Sequence, residues 1–190
     1  MTRDLVRGMV LQAFHNPILA ELDDSAVFPS PEGRLAFTTD SYVVDPVFFR
    51  GGDIGRLSIC GTVNDLAMMG ASPKYLSVGF ILEEGLPVSD FRKILNSMKA
   101  AALEAQVTVV TGDTKVVGSG SADGIFINTS GLGLIPEGVH ISGANAVPGD
   151  VVIINGPLGD HGIAVLDNRE GLGLNIPVES DCAPLNHLVE

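Results

Sequence analysis

The stretch Ile54–Ser72, IGRLSICGTVNDLAMMGAS, decides how the rest of the chain is read. Wound as a helix, it sets Ile59, Val63 and Leu66 on one apolar stripe and Ser58, Gly61, Thr62 and Asp65 on a small, polar one. Gly61 in a helix interior costs about 1 kcal/mol against alanine, so the small stripe implies that something bulky comes close. Two readings stay open from this stretch alone. The small face receives a ligand that Asp65 helps to hold, or it packs on a neighbouring element and Asp65 is a solvated charge. Asp53 is placed to cap the helix and Gly70 to end it as a left-handed glycine.

Elements on either side are predicted from period and punctuation. Thr2 caps a first helix to about Phe14, with Leu5, Met9 and Ala13 on one stripe, and Pro17 stops or bends it. Glu21-Leu22-Asp23-Asp24 forms an acidic turn before a short strand that ends at Phe28. Leu35–Val44 is a strand with Leu35, Phe37 and Val43 on its apolar side and Asp40 on the other. Tyr75–Leu82 alternates with Leu76, Val78, Phe80 and Leu82 inward. Ser89 caps a helix to about Gln106 that buries Phe91, Ile94, Leu95, Met98 and Ala102. A strand Val107–Thr111, a turn Gly112-Asp113-Thr114-Lys115, a polar GSGSADG connection and a strand Ile125–Ile135 follow.

Mixed strands and two longer helices without a regular βαβ repeat indicate an α+β fold. The turn cluster 146–150 marks a boundary, giving a domain over residues 1–148 and the start of a second over 149–190, with a strand Val151–Asn155 and a helix from near Gly162. Forty residues are few for an independent domain, so the second unit is expected to be truncated.

Composition narrows the function. With 45% hydrophobic and 18% charged residues, the 190-residue chain can bury a sizeable core. A net charge of -12 argues against a nucleic-acid partner, which needs a basic footprint, and implies that a phosphate ligand arrives with divalent metal. Two cysteines, Cys60 and Cys182, form no CxxC pattern, so neither a disulfide framework nor a zinc site is suggested. The absence of a leader-like start or a membrane-length apolar run leads to the expectation of a soluble, cytoplasmic protein with no membrane contact.

Four aspartates carry the chemistry in this reading. Asp24, Asp40, Asp65 and Asp113 lie beside Ser25, Ser41, Asn64 and Thr114. Magnesium takes hard oxygens but usually only one or two carboxylates per ion, so four scattered aspartates suit a pair of ions on a polyphosphate. Lys115 supplies the complementary cation for a transferring phosphoryl group. No G-x-x-x-x-G-K-[ST] loop is present, and Gly118–Gly124 reads as a turn before a strand. His161 reads as a base, a ligand or a helix cap, and Cys60 as a buried small hydrophobe.

The segments TTDSYVVDPVFFRGGDIG (38–55), ICGTVNDLAMMGA (59–71), LSVGFILEEGLP (76–87), VTGDTKVV (110–117), FINTSGLG (126–133) and GPLGDHGIAVL (156–166) together resemble the HypE family of hydrogenase maturation proteins. That family sits in a superfamily with aminoimidazole ribonucleotide synthetase, thiamine monophosphate kinase and selenophosphate synthetase. The resemblance implies an N-terminal mixed α/β domain whose sheet joins a second copy in a dimeric barrel. It implies ATP-dependent dehydration of a C-terminal cysteine S-carboxamide to thiocyanate, the source of the cyanide ligand of nickel-iron hydrogenases. Its cofactors are ATP and Mg2+, and its partners a homodimer mate, the carbamoyltransferase HypF and the HypC-HypD scaffold.

By the same resemblance, Asp24, Asp40, Asp65 and Asp113 hold metal, and Ser41, Asn64, Thr114 and Lys115 complete the nucleotide-binding set. Lys115 and Asp65 are its catalytic residues. The chain lacks the family's glycine-rich segment before the first helix and its terminal cysteine tail, and Cys182 is not that cysteine. Weak nucleotide binding without dehydration is therefore the expectation. Two alternatives stand beside it: a thiamine monophosphate kinase-like phosphotransferase, and a non-catalytic dimerisation or docking module.

Overall fold

The computed structural model describes residues 6–21, 25–27, 32–171 and 178–189. Four strands build its sheet: β1 (Arg34–Tyr42), β2 (Ser72–Glu83), β3 (Thr108–Val117) and β4 (Ile125–Ile135). Their order is β1-β4-β2-β3. The β2/β3 pair is parallel and flanks helix α2 (Val88–Glu104), while β1/β4 and β2/β4 are antiparallel. Helix α1 (Ile54–Met68) lies beside α2 on one face of the sheet, and helix α3 (Asp160–Glu170) follows the sheet in sequence.

Local chemistry explains these bounds. Asp53 caps α1, its Oδ1 accepting from the Gly55 amide at 2.7 Å and the Arg56 amide at 3.1 Å. Gly70 ends that helix at φ +68°, as expected of a left-handed glycine. The alternation of β2 buries Leu76, Val78, Phe80 and Leu82, and the stripe of α2 buries Phe91, Ile94, Leu95, Met98 and Ala102, all as predicted. Phe80 and Phe91 meet edge to face with centroids 5.4 Å apart. The core among the described residues is thus mainly aliphatic, with this aromatic contact inside it, between the sheet and α1/α2.

Several expectations are corrected. The first helical stretch ends at Ala13, beside the expected Phe14, but Pro17 then begins a new helical turn, Pro17–Ala20, whose cap is Asn16; the Asn16 amide also bonds Val109 O at 2.7 Å and ties the N-terminal segment to β3. Thr2, Asp24 and Phe28 lie outside the described residues, and residues 25–27 form no strand. Helix α2 starts at Val88 after Pro87, so Ser89 lies inside its first turn and does not cap it. The predicted turn 112–115 is strand, because residues 111–117 of β3 pair in parallel register with residues 77–83 of β2.

The face of β1 is also inverted. Leu35 (52% exposed) and Phe37 (68%) point away from the helices, and Asp40 and Tyr42 point toward α1. Val151–Asn155 is no strand: Val152 is 90% exposed, and among the described residues no neighbour completes a ladder with it. Among the described residues the sheet is open and does not close into a barrel.

Candidate functional site

The small polar stripe of α1 packs on β1 and β4. A Cβ on Gly61 would lie 2.2 Å from Tyr42 Oη, so the glycine makes room for that ring. Asp40 Oδ2 accepts from Thr62 Oγ1 at 3.0 Å and from the Tyr42 hydroxyl at 3.2 Å. Thr62 also meets Thr129 Oγ1 at 2.5 Å, and Thr129 donates to Ser58 O at 3.2 Å. Ser58, Thr62 and Thr129 are fully buried, so this chain of hydroxyls fixes the carboxylate from inside the protein. Burial first, and then the charge of Asp40, push the Tyr42 phenol up from its ordinary value, against the pull of its Thr62 bond, so it remains the donor.

Asp65 lies one turn further along the same helix, at the solvent edge. Its Oδ2 accepts from Thr38 Oγ1 at 3.1 Å. Thr38 and Asp40 share one side of β1, and Thr62 and Asp65 share one side of α1. The two carboxylates are therefore cross-linked by hydroxyls from opposite elements. Among the described residues each keeps its Oδ1 uncommitted. Ser41 points the other way, where Asn128 Nδ2 bonds Asp40 O at 2.7 Å and Ser41 Oγ at 3.1 Å.

Asp113 and Lys115 stand on that other face, at the far edge of the sheet. Lys115 Nζ is 2.9 Å from Asp113 Oδ2, and the Thr114 amide donates to Asp113 Oδ1 at 2.8 Å. The lysine first, then the amide, hold the Asp113 carboxyl below its ordinary range. Both side chains are open to solvent, at 66% and 70% exposed, while Thr114 turns inward and is buried. Strand register puts Ser41, Asn128, Gly79 and Asp113 in one row across the open face. The next row is Thr39, Ser130, Ser77 and Thr111, and its last three members line a hollow of about 340 Å³ together with Phe37 and Tyr75.

The structure thus unites Asp40 with Asp65 and Asp113 with Lys115, but it does not bring the two pairs together. Three strand spacings separate β1 from β3, about 14 Å, and the pairs face opposite sides of the sheet. Among the described residues no three acidic, histidine or cysteine side chains are grouped to hold a metal. Asn64 is engaged elsewhere, its amide bonding Ala183 O at 3.0 Å and the Leu185 amide at 2.7 Å. His161 is in the first turn of α3, edge-on to Phe49 at 5.2 Å and 3.0 Å from Ser180 Oγ; the cap there is Gly159. Sequence reasoning did not single out Thr38, Tyr42 and Thr129. Their signal was the i±2 spacing of Thr38 and Tyr42 around Asp40 on one strand.

Comparison with known proteins gives this geometry a family. Residues 22–135 match the AIR synthase related protein family, N-terminal domain. The carbamoyl dehydratase HypE of Azotobacter vinelandii is 51% identical over 185 residues, 97% of this chain and 54% of that protein. A crystal structure of the hydrogenase maturation protein HypE in complex with ATP aligns with a TM-score of 0.95 at 51% identity, over 99% of this chain and 56% of that one. A HypE-HypF complex structure aligns at 0.82 with 52% identity, over 98% of this chain and 60% of that one. The chain spans about half the length of the curated relatives it matches. It belongs to the AIR synthase related protein family through its N-terminal domain, and within that family it is similar to the HypE carbamoyl dehydratases.

Proposed function

We propose that this chain supplies the nucleotide-handling part of an ATP-dependent carbamoyl dehydratase, which converts a C-terminal cysteine S-carboxamide to thiocyanate for nickel-iron hydrogenase maturation. The observation that carries the reading is the hydroxyl-braced Asp40–Asp65 pair, in a chain half identical to a HypE crystallised with ATP. Magnesium accepts one or two carboxylates per ion alongside water and phosphate oxygens, and the uncommitted Oδ1 atoms of Asp40 and Asp65 fit that donor set. When bound, ATP supplies the phosphoryl group that makes the amide oxygen a competent leaving group.

Residues of the chain do the positioning. Thr62 and Tyr42 hold Asp40 in one orientation, Thr38 does the same for Asp65, and Lys115 offers an ammonium to phosphate or to charge developing on the amide. Because Asp113 and Lys115 are remote from Asp40 and Asp65 within one chain, the reading needs a second copy. Leu35, Phe37 and Ile81 are exposed hydrophobic residues on the open face of the sheet, a surface that a like sheet would cover in a two-chain barrel. In that dimer, Asp113–Lys115 of one copy reaches the Asp40–Asp65 pair of the other around the free edge of β1, beside which Asp65 stands at the solvent edge of α1. HypF and a HypC-HypD scaffold are the proposed partners, and the free thiols of Cys60 and Cys182 fit a cytoplasmic setting.

Calorimetry with ATP, with and without magnesium, tests the reading. Binding is expected to require the metal, and Asp65→Ala and Lys115→Ala each to weaken it about tenfold or more, about 1.4 kcal/mol. Metal-independent affinity, or affinity that both substitutions leave intact, sinks the proposal.

A further inference from the structure

A pair of thiols takes no part in the site above. Cys60 lies on the buried side of α1, 2% exposed, and Cys182 lies in the segment 178–185, which runs over that helix without regular structure. Arg56, Cys60 and Asn64 follow one another at i+4 along α1, and the segment bonds Arg56 through Cys182 O and Asn64 through Ala183 O, so Cys182 packs over Cys60. This meeting is fixed from both sides. Ser180 N bonds Arg50 O at 2.9 Å before Cys182, and Asn64 grips Ala183 and Leu185 after it. Arg56 Nε donates to Cys182 O at 2.9 Å, so a guanidinium also stands over the cysteine. Cys182 is partly exposed, whereas Cys60 is sealed behind it.

This arrangement separates the roles of the two sulfurs. The neighbouring Cys60 thiol, and then the charge of Arg56, lower the Cys182 thiol below its ordinary value, which favours the nucleophilic thiolate at the accessible position. The neighbouring Cys182 sulfur and burial raise Cys60, which stays a protonated thiol beneath it. We propose that Cys60 and Cys182 form a peroxide-oxidisable pair whose disulfide locks segment 178–189 onto α1. In the first step, the Cys182 thiolate attacks hydrogen peroxide; the O–O bond breaks, a sulfenic acid forms and hydroxide leaves. In the second, the Cys60 sulfur attacks that sulfenic sulfur, the S–O bond breaks, and the Cys60 proton departs with the oxygen as water. In sum, two thiols and one peroxide give one disulfide and two waters. Closing from a thiol contact to a bond of about 2.05 Å needs a small shift, and the irregular segment bearing Cys182 can supply it where the helix cannot.

The consequence concerns α1 directly. Asn64, which grips the segment, adjoins Asp65, so the disulfide would freeze the backbone that presents this carboxylate. The proposal is independent of the nucleotide reading, because its test uses neither ATP nor activity. The whole chain is treated with equimolar hydrogen peroxide and examined by intact mass, maleimide labelling and thermolysin cleavage. Wild type should lose two hydrogens and both labelling sites, regain them with dithiothreitol, and be cut several-fold more slowly within 178–189. Cys182→Ser should neither lose hydrogens nor change its cleavage rate, and Cys60→Ala should be trapped by dimedone at Cys182. Added oxygen without loss of hydrogens in wild type, a chain-to-chain disulfide, an unchanged mass or an unchanged cleavage rate would each overturn it.

Discussion

Gly61 shows how contacts decide between two readings that the sequence leaves open. A glycine in a helical small stripe suits a ligand, but here it receives the Tyr42 ring that braces Asp40. Helix propensity alone would make Gly61→Ala stabilising by about 1 kcal/mol. A methyl group 2.2 Å from Tyr42 Oη and 3.0 Å from its Cζ makes overpacking win, so we expect a net loss of about 1–2 kcal/mol in urea denaturation. Thr62→Val keeps the shape but leaves buried Thr62 partners unserved, and should cost about 1–3 kcal/mol by the same measurement. The carboxylate of Glu83 accepts from the Gly120 and Gly124 amides, and these two bonds hold its carboxyl below the ordinary range. A lowered folded value means that the loop is held above the ordinary carboxylate range and released as pH falls through the folded value. NMR shifts of those two amides should therefore titrate with a midpoint below the ordinary glutamate value of about 4.3; a midpoint at or above it contradicts the contact.

At the scale of elements, legibility followed the strength of the periodic signal. The stripes of α2 and β2 and the limits of β4 were readable, because each offers one face to the core and none has a competing pattern. The two faces of β1 were not distinguishable. Leu35, Phe37 and Val43 lie on one, Ala36, Tyr42 and Val44 on the other, and only the hydroxyls of Thr62 and Tyr42 make the aspartate side the inward one. Gly112-Asp113 looks like a turn, yet parallel pairing with β2 overrides local preference and carries the strand to Val117. That extension sends Asp113 and Lys115 to the open face and Thr114 to the buried one, a division that a turn would not impose. Of the candidate site, the residue types were legible and their convergence was not, since sequence carries no measure of which sheet edge a strand occupies.

At the scale of the whole molecule, the open sheet face and the divided site point the same way. Phe37, 68% exposed on edge strand β1, is well placed to meet a second copy. If this face joins two copies as proposed, the wild-type chain should sediment as a dimer and Phe37→Asp as a monomer with an unchanged far-ultraviolet spectrum; a monomeric wild type, or a dimer that the substitution leaves unaltered, would remove this face from the interface. The most direct measurement mixes Asp65→Ala and Lys115→Ala chains after co-refolding and counts magnesium-dependent ATP sites by calorimetry. If each site draws Asp65 from one copy and Lys115 from the other, every mixed dimer regains one intact site, and about a quarter of the wild-type sites return. If no sites return, with mixed dimers shown to be present, the two pairs do not serve one nucleotide and the shared-site account is wrong.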